Sequence, residues 1–363
     1  MTMPKILIDL GKLKNIYTGL GQISFQYASK LATLKHSKFH FTYLVPENFS
    51  EKFGDSVAYQ SLSVFKRYFP VVNSKYDLWH AIHQDSAFMP PKGVPYLLTI
   101  HDLNFLEEKS SVKARMRLKR LQKKVNRAAE ITFISKFTEG VARQHLDIHV
   151  PTSVIYNGVN LAVLNDKIEP AFLKSILNLS INSLKKKEPL YFTIGVIKEK
   201  KNFHVLVQFM KNLSHGVLVI AGDNSDAYAR SIQNEIEASG LQNRILMPGI
   251  VSDMDRAGLY ENCDAFLFPS RVEGFGLPVI EAMSYGKPVF LSTCSSLPEV
   301  GGPDAFYWEN FDPVYMATIF NEKMKTAMTA EKINSRKNRA AFFNWQTAVK
   351  DYLDLYEQII YRM

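Results

Sequence analysis

Short apolar runs recur along the chain, each closed by glycine or polar residues and followed by apolar positions at helical spacing. Lys5–Asp9 reads as a strand, Gly21–Leu34 as a helix and Phe39–Val45 as a second strand. Leu97–His101, Ile131–Ile134 and Ser153–Ile155 continue the series of strands. The rhythm breaks over Leu161–Pro189, where the charged, proline-ended stretch Lys185–Pro189 suits a linker. It then resumes: strand Leu190–Ile194, helix Phe203–Leu213, strand Val217–Ala221, helix Ser231–Ser239, strand Ile245–Met247. Ala265–Phe268, Pro278–Tyr285 and Val289–Ser292 give strand, helix and strand again, and Asn344–Tyr361 reads as one or two helices. Strands alternating with helices predict parallel, doubly wound sheets, hence an α/β chain with two such domains. In open parallel sheets ligands gather outside the carboxyl ends of the strands. Gly19, Gly21, His101, the stretch Gly195–Lys201, Gly222 and Glu273 all fall just beyond predicted strands.

Length agrees with that division, since 363 residues suit two domains of ordinary size. Only two cysteines occur, Cys263 and Cys294, which argues against a disulfide framework or a structural zinc site. No apolar run approaches the ~20 residues of a membrane span, and Met1–Leu10 lacks a signal-peptide layout. The expectation is a cytoplasmic protein. The net charge of +9 is uneven: eight Lys or Arg and no acid lie between Lys113 and Arg127. Leu118, Leu121 and Val125 give that stretch a narrow apolar stripe at helical spacing. A basic amphipathic helix at 113–127 can lie on anionic lipid, and it can equally be a solvated helix face. Compact nucleic-acid-reading motifs are absent, so nucleic acid is not an expected partner.

Residues 268–288 are the richest in chemistry. An apolar run is followed by Glu273, then the loop Gly274-Phe275-Gly276-Leu277, then a helix with Pro278 near its start and Glu281 a turn inside. Strand, glycine turn and helix N-terminus favour an anion through free N–H groups and the helix dipole. Two carboxylates beside such a turn suit a ligand with phosphate and hydroxyls, such as a nucleotide sugar. Each feature has a plainer reading: Glu273 as a solvated loop acid, Glu281 as a helix-start acid, Lys198–Lys201 as a solvated charge run. No His, Cys or Asp constellation at metal-ligand spacing is visible, so no metal cofactor is expected.

The two acids and the order of the surrounding motifs resemble the Glu-x7-Glu signature of retaining GT-B glycosyltransferases of family 4. The resemblance runs through Thr18-Gly19-Leu20-Gly21-Gln22, His101-Asp102-Leu103, Ile134-Ser135-Lys136 and Val154–Val159. It continues through Gly195–Asn202, Ala221-Gly222-Asp223, Pro248–Asp253, residues 268–288 and Ser296–Val300. It implies two Rossmann-like domains facing across a cleft: an acceptor-binding domain at 1–168, a nucleotide-sugar-binding domain at 185–344, and a terminal helix at 345–363 returning to the first. It implies that Glu281 binds the donor ribose and that Glu273 lies at the donor sugar, with the loop Gly274, Phe275, Gly276 and Leu277. Lys200 and Lys201 resemble the basic pair that neutralises the leaving diphosphate. Where many relatives carry arginine this chain has Val196, which leaves one phosphate contact to Lys200. Gly19 and Gly21 are implied at the donor phosphates, and His101 near the reacting sugar with Asp102 orienting it. His80 and His83 carry no clear assignment. The implied reaction is metal-independent, retaining transfer of a hexose, mildly favouring mannose, to a saccharide or lipid-linked acceptor in polysaccharide or lipopolysaccharide assembly. A nucleotide-sugar enzyme acting on a soluble acceptor, and a membrane- or nucleic-acid-binding scaffold with a vestigial sugar site, stay open at this point.

Overall fold

The computed structural model describes residues 3–16, 18–34, 38–62, 76–108, 110–159 and 188–362. The contacts divide the chain into two units, Met1–Gly158 with Phe343–Met363, and Val159–Phe342. Most of the stretch proposed as linker, 185–187 included, lies outside the described residues.

The first unit is built on a seven-stranded, all-parallel sheet in the order β3-β2-β1-β4-β5-β6-β7. The strands are β1 (Lys5–Asp9), β2 (His40–Val45), β3 (Ala58–Ser61), β4 (Leu78–Ala81), β5 (Tyr96–Ile100), β6 (Glu130–Phe133) and β7 (Thr152–Val154). Its helices are α1 (Gly19–Thr33), α2 (Phe105–Glu108), α3 (Ser111–Val125), α4 (Lys136–His145) and, from the end of the chain, Trp345–Tyr361. Central strands are buried throughout, as sheets covered on both faces require. Side-chain oxygens of Thr18 and Ser135 cap α1 and α4 by accepting from Gly21 N–H and Thr138 N–H. The terminal helix packs on this unit through a buried polar seam. Tyr356 bonds Tyr27 and, at 2.7 Å, His80 Nδ1, while His80 Nε2 meets Thr99 Oγ1 at 2.8 Å. His80 is thus a core strand residue with both ring nitrogens occupied.

The second unit repeats the plan with six parallel strands in the order β10-β9-β8-β11-β12-β13. They are β8 (Leu190–Ile194), β9 (Val217–Ala221), β10 (Ile245–Gly249), β11 (Ala265–Phe268), β12 (Val289–Ser292) and β13 (Phe306–Trp308). The helices are α5 (Val205–Lys211), α6 (Ala227–Ala238), α7 (Asp253–Asn262), α8 (Leu277–Ser284), α9 (Leu297–Gly301), α10 (Pro313–Ala327) and α11 (Ala330–Phe342); the terminal helix Trp345–Tyr361 is α12. In both units neighbouring strands are reached by crossovers, so loops of one kind gather at the carboxyl edge of each sheet.

Candidate active site

At the carboxyl ends of β8 and β11 the structure brings Lys201 and Glu273 together. Lys201 lies in the short 3₁₀ turn Glu199–Lys201 after β8, and Glu273 lies in the loop after β11. Lys201 Nζ donates to Glu273 Oε1 at 2.6 Å, with side chains only 11% and 12% exposed. Nζ also sits 4.9 Å from the centre of the Phe268 ring. The ammonium is therefore fixed by a carboxylate and an aromatic face in a largely dry setting, where charge interactions are strong. The backbone carbonyl of Lys200 accepts from Arg271 N–H at 2.8 Å and from Ser270 Oγ at 3.1 Å, tying the basic turn to the acidic loop.

The acidic loop is held by two serines of the next crossover. Glu273 N–H donates to Ser295 Oγ at 3.0 Å. Ser296 Oγ–H reaches the carbonyls of Phe275 at 2.8 Å and Glu273 at 3.2 Å. Gly276 closes the loop with φ +111, a conformation that excludes an L side chain, and a Cβ there would lie 3.0 Å from Leu297. As N-cap of α8 it supplies no side-chain acceptor, so the first-turn N–H groups, beginning at Leu277, get none from the cap position. Glu281, one turn inside α8, accepts from Tyr260 O–H at 2.8 Å through Oε2. Arg256, paired with Asp253 at 3.1 Å, has its pKa raised first by the nearby Glu281 charge. Tyr260 and Ser295 carry no local pattern in the sequence, and Ser296, though it opens the Ser296–Val300 motif, shows no sign there of its bonds to the loop, because these contacts span twenty or so residues.

In the first unit the two glycines separate in role. A Cβ on Gly21 would fall 2.0 Å from the Asn15 carbonyl oxygen, so this residue lets α1 seat against the turn Gly11–Asn15. Gly19 has open space around it and carries no such packing constraint.

His101 is buried just beyond β5. Its Nε2 bonds the Ile82 carbonyl at 2.7 Å, which places the proton there and leaves Nδ1 as an acceptor with no partner. The ring's orienting partner is therefore Ile82; Asp102 Oδ1 instead accepts from Asn104 N–H at 3.0 Å. Burial pushes the His101 pKa down to about 4, keeping the ring neutral. The His83 ring lies beside it, tilted by 33°, at 5.2 Å between ring centres.

The basic helix forms as α3, and its apolar stripe turns inward: Leu121 and Val125 are core residues and Leu118 packs against them. That stripe is not available to lipid. Arg117 pairs with Asp85, and Lys124 Nζ bonds the Gln84 carbonyl at 2.6 Å. Lys113, Arg115, Lys119, Arg120 and Lys123 face outward with the exposed Val112 and Met116. Among the described residues no helix is long and apolar enough to cross a membrane, and no group of three or more His, Cys, Asp or Glu is placed to hold a metal ion.

Two parallel doubly wound sheets, with a lysine–carboxylate pair and a second acid at the strand ends of one, define a GT-B glycosyltransferase architecture. The family model described as "Glycosyl transferases group 1" matches residues 178–338, and that described as "Glycosyltransferase Family 4" matches residues 39–163. The chain belongs to these group 1, family 4 glycosyltransferases. It is 24% identical to the O-antigen chain mannosyltransferase RfbU of Salmonella typhimurium over 96% of this chain and 99% of that protein. Among solved structures it is similar to a sucrose-phosphate synthase from Thermosynechococcus elongatus, with a TM-score of 0.76 and 20% identity over 100% of both chains. It is also similar to HepE of Anabaena in complex with UDP-glucose, with a TM-score of 0.75 and 19% identity, covering 98% of this chain and 99% of that one.

Proposed function

We propose that this glycosyltransferase moves a hexose, mannose by preference, from a nucleoside diphosphate sugar to a saccharide acceptor carried on lipid, in O-antigen-type polysaccharide assembly. The observation that carries the reading is the nearly buried Lys201–Glu273 pair at the strand ends, with Glu281 held by Tyr260 on the adjoining helix. The mannose preference comes from the similarity to the Salmonella mannosyltransferase, and the nucleotide-sugar donor from the similarity to HepE with its bound UDP-glucose.

In this reading Glu281 receives the ribose hydroxyls, its geometry set by the Tyr260 hydroxyl. Glu273 and the loop Gly274–Leu277 receive the donor hexose. As the glycosidic bond breaks, negative charge grows on the diphosphate, and Lys201, Lys200 and the first turn of α8 stabilise it without a metal ion. The departing phosphate takes the proton of the incoming acceptor hydroxyl on the same face, so configuration is retained with no protein nucleophile. Gly19 lets backbone approach the donor phosphates, and His101 offers its unpartnered Nδ1 to a sugar hydroxyl. The outward basic face of α3 meets an anionic membrane on the cytoplasmic side, each Lys or Arg contributing about 1 kcal/mol near the surface.

The test is transfer from GDP-mannose and from UDP-hexoses to a lipid-linked saccharide in anionic and neutral vesicles, with chelator present. Chelator-resistant transfer with retained anomeric configuration supports the reading. Inverted product, or dependence on added metal, contradicts it.

A further inference from the structure

The first unit holds a second polar concentration that the transfer chemistry above leaves unused. At the carboxyl ends of β1 and β4 lies a cavity of about 130 Å³ lined by Asp9, Lys12, Lys14, His83, Asp85 and Ser86 among others. A cavity of this size holds a single small ring or one phosphate-sized group. Both carboxylates on its wall are already engaged. Asp9 accepts from Gly11 N–H at 2.9 Å and from the Ser86 hydroxyl, while Asp85 is gripped by Arg117, with Nε at 3.2 Å. Lys12 stands 3.9 Å from the same Asp85, and no ion pair of Lys14 is seen among the described residues. Lys12 and Lys14 are the cations on the wall; Arg117, outside the lining, already neutralises Asp85, and Lys124, bonded to the Gln84 carbonyl, adds a further positive charge, so the balance favours a negative ligand.

An independent observation points the same way. His83 is 4% exposed, and its Nδ1 accepts from Asp85 N–H at 2.9 Å. In the neutral ring the proton then sits on Nε2, and Nε2 has no partner. A buried donor without an acceptor is costly, and a ligand oxygen removes that cost.

We propose that this cavity receives an oxyanion borne on a sugar, so that the acceptor of this enzyme carries a phosphate or carboxylate, met by Lys12, Lys14 and His83 Nε2–H. The inference rests on the glycosyltransferase reading for calling the ligand an acceptor.

The experiment is calorimetric titration of the intact protein with mannose 1-phosphate, mannuronic acid and free mannose, for wild type and for Lys12→Gln combined with Lys14→Gln. Both lysines reach solvent, so the variant keeps its thermal midpoint, which is measured alongside. At least one charged sugar binds about tenfold or more tighter than mannose, and the double variant loses that preference. Which of the two binds tighter tells phosphate from carboxylate. Saturating GDP and UDP leave the binding in place. Equal affinity for mannose, no binding by any of the three, or an unchanged preference in the variant overturns the proposal. Displacement by the nucleotides overturns it too, because the oxyanion then belongs to the donor. If the nucleotides themselves fail to bind while the charged sugars still bind through the lysines, the donor-site reading fails and the cavity stands.

Discussion

Lys201→Met tests whether the Lys201–Glu273 pair is there for stability or for chemistry. The substitution keeps most of the side-chain volume beside Phe268 and strips Glu273 of its 2.6 Å partner. Removing one member of a fully buried pair costs about 3–5 kcal/mol. These side chains keep 11% and 12% exposure, which lets water reach the orphaned carboxylate and lowers the expected cost to about 2–3 kcal/mol. For a unit of this size each kcal/mol is worth about 2–4 °C, so the midpoint falls by about 4–12 °C. Turnover falls more steeply, by about 10²–10³, if the ammonium stabilises charge on the leaving diphosphate. Adding Glu273→Leu separates the two effects. An apolar pair in place of a buried ion pair is commonly neutral or better for stability, so the midpoint returns to near wild type while turnover stays at least as low as in the single variant. The assay pairs thermal unfolding with nucleotide release from the donor sugar under single-turnover conditions. A double variant that regains turnover with stability, or a single variant as active as wild type, would show that the Lys201 ammonium takes no part in the chemistry.

Tyr260→Phe deletes a partly buried hydrogen bond to a carboxylate and is expected to raise the donor KM about tenfold with little change in kcat, measured by initial rates; an unchanged KM contradicts a positioning role. Gly21→Ala forces a Cβ onto the Asn15 carbonyl and should destabilise by about 2–4 kcal/mol in urea titration, whereas Gly19→Ala, with open space around it, should leave stability within about 0.5 kcal/mol. Equal stabilities of the two variants would refute the assignment of Gly21 to packing. Three histidines of the first unit are held neutral by burial, His80 down to about 3, His101 to about 4 and His83 well below its ordinary value. Their folded pKa values lie below the unfolded 6.5, so the unfolded chain binds more protons and stability is lost as pH falls from about 6.5 toward 4, each proton contributing about 1.4 kcal/mol per pH unit. Asp9, raised by burial, acts with the opposite sign at the acid end. Urea midpoints measured between pH 7 and 5 should fall steadily, and a flat profile would contradict the buried neutral histidines.

Much of this architecture is legible in the chain because each buried parallel strand needs a continuous apolar run. Lys5–Asp9, Leu190–Ile194, Val217–Ala221, Ala265–Phe268 and Val289–Ser292 stand where the apolar runs put them. Leu78–Ala81 shows an apolar run, but His80 within it hides the strand, and the partner that satisfies His80 in the core, Tyr356, comes from the far end of the chain. Ala58–Ser61 and Phe306–Trp308 are short edge strands with too few residues to show a period. At the site, the glycine turn and the two acids are local signals. The partners that fix them are not: Ser295, Ser296 and Tyr260 meet the loop and Glu281 only after the crossovers have closed. The stripe on α3 shows the same limit from the other side. Periodicity marks Leu121 and Val125 as one face but does not say whether core or lipid covers it, and here it is the core.

We propose that the second unit binds a nucleoside diphosphate sugar through Glu281 and the loop beside the Lys201–Glu273 pair. Thermal unfolding of the intact protein with GDP, GDP-mannose, UDP and UDP-glucose, for wild type and Glu281→Ala, tests it most directly. At about a hundredfold excess over Kd a ligand adds about 2.7 kcal/mol to the folded state, a shift of several degrees. One nucleotide series is expected to raise the wild-type midpoint by that amount, and Glu281→Ala to abolish the rise. A wild-type midpoint unmoved by every nucleotide, or a shift that survives in Glu281→Ala, would contradict it.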